Sequence, residues 1–432
     1  MNTQNSKFQR FWILSIILTS PLYLRSGEEG LAVIDFVFAG YYFGSLYFWL
    51  FWTALVKKIK LVRNTADFFL LLFFTLGFGF VFLSSLNSIT IIDALREYIV
   101  ISMVLLFFPL RELFTDKKQL ILLGSVFSIS ILINDLGQFY DYYKGMTSGV
   151  QYAYQVLSGT KIRINQTLFT FSISIGTLFF LYSKKIPVKI WLILVVGTTS
   201  AALVTTFSRT FWVLVLGIMF LFIIIIPIRQ KIQLGVVALF VSVSIVLMIN
   251  IFFKQQADVV YTVIEKRLVS TTQGKADMSL QSRLSEYTVL INRIKENPMQ
   301  GNGFFKEFSF YNPIYSATSH TITVHNGYLF LAYRLGIPMF LLYMYVIFYY
   351  FGKSIKVWFL NKDLFFKFIA ISGFTGLLIL ILSSLTSSQF FLRDGTMITA
   401  LSFFLVEIAF QHIPQNTKLN SNKTENIIQK EH

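Results

Sequence analysis

Long apolar runs alternate with short polar links along almost the whole chain. Twelve runs approach the roughly 20 residues a helix needs to cross a hydrocarbon core. They lie at 10–24, 31–56, 67–86, 91–110, 119–140, 164–182, 187–206, 210–228, 232–253, 325–351, 364–385 and 395–411. The first is short, and the fourth opens on the polar residues Asp93, Arg96 and Glu97. The pattern predicts an all-α fold, a polytopic membrane bundle of about 12 transmembrane helices.

The alternation opens out at 141–163 and at 254–324. The longer link, 254–324, is expected to form an extramembrane subdomain inserted before the span that starts at His325. Residues 412–432 are polar and read as a tail. No internal repeat and no second globular region is visible, so residues 1–432 are taken as one membrane domain. Lys7 and Arg10 precede the first run as in a signal peptide. No small-residue cleavage pattern follows, so a retained first span is expected.

Composition agrees with lipid as the solvent. Hydrophobic residues make up 55% of the chain and charged residues 13%, against roughly 25% charged in soluble domains. A net charge of +16 would suggest nucleic acid in a soluble protein. Here the basic residues fall in alternate links: Lys57, Lys58, Lys60 and Arg63; Arg111, Lys117 and Lys118; Lys184, Lys185 and Lys189; Arg229 and Lys231; Lys353, Lys356, Lys362 and Lys367. That is a topology signal. It puts both termini in the cytoplasm and both long links on the outer face, and it argues against nucleic acid as a partner. The absence of cysteine excludes disulfides, thiolate nucleophiles and Cys-metal sites.

Chemistry is expected where the outer face collects scarce residues. His325, one of four histidines, directly follows the long link. A neutral imidazole there can accept a proton near pH 7. Asn326-Gly327 suits a helix start, and Gly336 with Pro338 should interrupt the following run, leaving 325–335 as a short tilted piece. Arg209 lies in a link too short to leave the membrane boundary, where a charge is by default a functional candidate. Arg283 opens a stretch in which Leu284, Tyr287, Leu290, Ile291 and Ile294 recur at helical spacing. Gly301-Asn302-Gly303 follows as a flexible turn. Alone, each has an ordinary reading: an interfacial His, a snorkelling Arg, a solvated loop Arg, a plain turn. Together, Arg209, Arg283 and His325, with Lys161, Arg163, Lys266, Arg267, Lys275 and Arg293, describe a cationic outer pocket. Such a pocket suits a phosphate-bearing, lipid-linked substrate, because guanidinium groups bind phosphate in a fork and stay charged.

These segments resemble the O-antigen ligase and polymerase family of bacterial membrane glycosyltransferases. "HNGYLFLAYRLGIP" is similar to the family's His-Asn-x-x-Leu…Gly-Ile-Pro stretch, "SRLSEYTVLINRIKENPMQGNGFF" to its Arg-containing outer-loop helix and Gly-x-Gly turn, and "FSRTFWVLVLG" to its Ser-Arg segment at a span start. Tyr333-Arg334 and Met339 depart from the pattern, in which acidic and small residues are common around Gly-Ile-Pro.

The resemblance implies transfer of a glycan from undecaprenyl diphosphate to an acceptor at the outer face of the bacterial cytoplasmic membrane, with neither metal nor cofactor. The acceptor would be another lipid-linked repeat unit in a polymerase, or lipid A-core in a ligase. Arg209 and Arg283 would hold the diphosphate and His325 would be the base. Asn326, Tyr328, Tyr287, Arg293, Gly301 and Gly303 would line the substrate site. The slightly favoured variant is the polymerase, because 141–163 offers a second long outer link. A flippase for such glycans is the rival; it would need internal symmetry and mid-membrane charges, for which Asp35 and Glu407 are the candidates.

Overall fold

A computed structural model describes residues 3–25, 37–86, 88–147, 165–252, 261–262, 265 and 278–414. The described helices begin with α1 (Thr3–Arg25), α2 (Ser45–Leu55), α3 (Thr65–Leu86), α4 (Ile91–Ser102) and α5 (Phe107–Leu113). They continue with α6 (Lys117–Thr147), α7 (Gln166–Tyr182), α8 (Ile186–Thr205), α9 (Arg209–Ile225) and α10 (Ile228–Phe252). After α11 (Met278–Glu296) comes an antiparallel hairpin, β1 (Phe308–Asn312) with β2 (Ala317–Thr321), in which Phe310 faces Ser319. The chain then forms α12 (Gly327–Leu360), α13 (Leu364–Ser383) and α14 (Arg393–Gln411).

Local chemistry sets several boundaries. The Thr90 side chain caps α4 by accepting from Asp93 N at 3.1 Å. Asp363 caps α13 through Phe365 N at 2.8 Å, and Pro187 occupies the first turn of α8, where no amide partner is needed.

Each of the twelve expected runs holds helix. Seven described helices are long and apolar enough to cross a membrane: α3, α6, α8, α10, α12, α13 and α14. Helices α7 and α9 are apolar but shorter. The run at 91–110 is not one rod: α4 passes into a 3-10 turn at Met103–Leu106 and then α5. The chain is thus a mostly helical, multi-pass membrane protein by the length and composition of its helices.

Packing centres on α12, α13 and α14. Small residues let α13 and α14 approach closely: a Cβ at Gly373 would lie 2.7 Å from Val406 Cγ2. Tyr350 of α12 stacks on Phe403 of α14 with centroids 4.4 Å apart. Two ion pairs lie inside the bundle among the described residues. Arg111, fully buried, donates to Asp67 Oδ2 at 2.7 Å and Leu61 O at 2.5 Å, and Tyr350 donates to Asp67 Oδ1 at 2.9 Å. Lys353 of α12 meets Glu407 of α14 at 2.5 Å, so Glu407 faces a neighbouring helix. Asp35 lies outside the described residues. Asp135 of α6 is a further buried carboxylate, which accepts from Thr198 and Thr199 of α8 at 3.0 and 2.8 Å.

Candidate functional site

The segment between α10 and α12 is fastened to the bundle where α12 breaks. Gly336 has φ +79 and ψ 169, so the helix stops there and restarts. A broken helix leaves carbonyls without partners. Tyr333 O accepts from Asn302 N at 2.8 Å and Arg334 O from Gly303 N at 3.0 Å, while Ile337 N donates to Pro298 O at 2.8 Å. This contact needs glycine on both sides. Gly301 has φ +65, and a Cβ there would lie 2.5 Å from both Arg334 O and Gly336 N; a Cβ on Gly336 would strike Met299 O. The amides of Asn302 and Gly303 therefore serve α12.

Arg334 completes the joint. Its side chain, 1% exposed, donates to Glu97 of α4 at 3.0 Å, to Lys306 O at 2.5 Å and to Ile322 O at 2.7 Å. Glu97 also accepts from Phe305 N. One guanidinium thus ties α12, α4 and the chain before and after the hairpin. The departure from the family pattern at this position has a structural explanation.

His325 stands at the start of α12. Asn326 caps the helix, its side-chain oxygen accepting from Tyr328 N and Leu329 N, both at 3.0 Å. Gly327 N donates to Ser384 O at 2.7 Å, which fixes the helix start against the link between α13 and α14. Tyr287 of α11 donates to His325 O at 3.0 Å and to Leu385 O at 3.3 Å. Burial pushes its phenol up, so it remains a neutral donor; the positive Arg283 nearby acts in the opposite sense. The same link reaches α9, because Thr386 Oγ1 lies 3.4 Å from Thr210 Oγ1, next in sequence to Arg209. Leu385-Thr386 is therefore a strap that joins the Arg209 helix start to the His325 helix start and to α11.

The imidazole has one strong partner. Glu286 of α11 accepts from His325 N at 2.7 Å through Oε1, and its Oε2 lies 2.7 Å from His325 Nδ1. The Glu286 side chain is 1% exposed and that of His325 is 55% exposed. Nε2 of His325 has no hydrogen-bond partner among the described residues.

The remaining candidates are distributed as follows. Arg283 and Tyr287 share α11 with Glu286, and Arg209 is the first residue of α9. Tyr328 donates to Ile381 O at 2.7 Å and packs edge-on against Phe390. Arg293 is exposed, pairs with Glu296 at 3.1 Å and lies two turns along α11 from Glu286. Lys161, Arg163, Lys266, Arg267 and Lys275 are outside the described residues.

The helical spacing at 284–294 is borne out by α11. Its buried line is Ser282, Glu286 and Leu290, whereas Leu284 and Ile291 are 53% and 42% exposed. Glu286 sits on the inward face because the His325 amide meets it there. The signal that could have found it is a lone carboxylate at four-residue spacing from Ser282 and Leu290.

The arrangement supplies an accessible imidazole nitrogen with two arginine-bearing helix segments joined to its surroundings. It can accept a proton and attract an anion. Residues 194–344 match the family model described as O-Antigen ligase, which bears out the resemblance. The matched stretch contains Arg209, Arg283, the Gly301–Gly303 turn and His325. No curated protein matches the chain.

Proposed function

We propose that this chain is a membrane glycosyltransferase. It moves a glycan from a polyprenyl diphosphate to a carbohydrate hydroxyl at the outer face of the bacterial cytoplasmic membrane, with both termini in the cytoplasm. The acceptor in this reading is a second lipid-linked repeat unit, as in an O-antigen polymerase. The observation that carries the transferase reading is the Leu385-Thr386 strap. Through it, Thr210 beside Arg209 and Tyr287 beside Arg283 and Glu286 are joined to the start of the His325 helix.

In the reaction, His325 Nε2 takes the proton of the acceptor hydroxyl. The acceptor oxygen bonds to the anomeric carbon as the bond from that carbon to the phosphate oxygen breaks. The electron pair leaves on the diphosphate, whose charge is met by the guanidinium groups of Arg209 and Arg283. A diphosphate leaving group already activates the donor, so base assistance and charge neutralisation are what the protein must add.

The test is a reaction of the purified full chain with one lipid-diphosphate-linked repeat unit, read on a gel beside His325→Ala. A ladder of longer lipid-linked glycans that vanishes in the variant supports the polymerase. A single transfer seen only with lipid A-core moves the protein to the ligase class. No transfer to either acceptor from a competent donor overturns the transferase reading.

A further inference from the structure

The link between Glu286 and His325 is more specific than an ordinary contact. The carboxylate makes two hydrogen bonds to one residue, with Oε1 on the backbone amide and Oε2 on Nδ1, both at 2.7 Å. An ionised carboxylate only accepts. With Glu286 ionised, the proton of this contact resides on Nδ1. Neutral imidazole carries one N–H, so Nε2 is left with its lone pair outward. The backbone bond fixes where the residue begins, and the ring bond fixes its rotation.

We infer that Glu286 is a positioning residue that selects the Nδ1–H tautomer of His325 and so makes Nε2 the base. This rests on the reading of His325 as the base under Proposed function. The physical logic is that of Ser-His-Asp sites, where the acid orients the imidazole without itself taking the proton.

An amide at this position has a definite consequence. Glutamine offers one oxygen. The His325 backbone N–H can only donate, so it retains that oxygen, and the glutamine NH₂ is turned toward Nδ1. Nδ1 then becomes the acceptor, the proton moves to Nε2, and the outward nitrogen can no longer take a proton. The change is nearly isosteric, so the consequence is chemical rather than one of packing.

The test uses the full chain labelled with 15N-histidine. Only four histidines are present, and His325→Gln identifies the resonance of interest. With the ring in its neutral form, wild-type His325 should show a protonated Nδ1 and a bare Nε2, and Glu286→Gln should reverse the two. With lipid-linked donor, Glu286→Gln should lower kcat by about 10²–10⁴-fold and leave the donor KM within about threefold. Glu286→Asp should keep the tautomer and restore part of the rate. A wild-type ring protonated on Nε2 overturns the proposal, as does a Glu286→Gln enzyme with normal kcat. If Glu286→Gln does not fold, the wild-type and Glu286→Asp spectra still decide, since loss of Nδ1–H in either rejects the role. An expected tautomer in a chain that transfers no glycan supports the Glu286 assignment and separately overturns the transferase reading.

Discussion

At the scale of single residues, the site divides into groups aimed outward and groups that hold them. The His325 side chain is 55% exposed above a Glu286 side chain that is 1% exposed. His325→Ala should therefore fold normally and lose about 10²–10⁴ in turnover, checked by rate beside an unchanged melting profile in detergent. Arg209→Lys and Arg283→Lys should each lose about 10²-fold, because lysine keeps the charge but lacks the planar fork. Retained turnover in both would remove bidentate phosphate binding from the reading. His325 and Arg209 stood out in the sequence because they are rare residue types at a membrane boundary. Glu286 did not. A carboxylate in a charged helix reads as solvated, and its burial depends on an amide 39 residues further along. Tyr287, Asn326 and Tyr328 stand out for their chemistry, yet their polar contacts are to backbone groups: Tyr287 and Asn326 at the start of α12, and Tyr328 at Ile381 near the end of α13.

At the scale of elements, the break in α12 is the organising event. Its location was legible from Gly336 and Pro338, but its partner was not. Gly301-Asn302-Gly303 reads in sequence as a flexible turn, and only the fold reveals that its amides cap the first piece of α12. Gly336→Ala should destabilise the protein by more than about 2 kcal/mol, from the φ of +79 and the contact with Met299 O. The readout is a lower midpoint in thermal unfolding. Arg334→Met should cost about 3–5 kcal/mol, since it leaves Glu97 buried without its cation. Limited proteolysis should then cut within 297–324 before any span. Cleavage at the wild-type rate would remove Arg334 as the fastener.

At the scale of the whole molecule, the two ends of the bundle hold different kinds of charge. Arg111, Asp67, Tyr350, Arg63 and Glu112 form a closed network. Tyr350 of this network lies 25 residues along the chain from His325, about 38 Å at 1.5 Å per residue if α12 were unbroken. We propose that the network end faces the cytoplasm, in line with the alternation of basic links. Because the chain has no cysteine, one introduced thiol reports alone. Thr288→Cys on α11 should react with an impermeant maleimide in intact cells, and Lys60→Cys only after permeabilisation. The reverse pattern would invert the topology. Each run that hydropathy marks holds helix, but the run at 91–110 is interrupted by a 3-10 turn between α4 and α5, and α11 carries no hydropathy signal.

The joint between the Gly301–Gly303 turn and Gly336 has a consequence for recombination between homologous proteins. The two strands of backbone complete one another's hydrogen bonds, so neither segment is a free cassette. A hybrid that imports the turn without the matching helix break would inherit orphan carbonyls at 333 and 334 and a collision at 336. The smallest block that keeps this joint runs from the start of α11 to just past Ile337; it carries Glu286 and His325 with it and still needs Glu97 of α4 as the partner of Arg334.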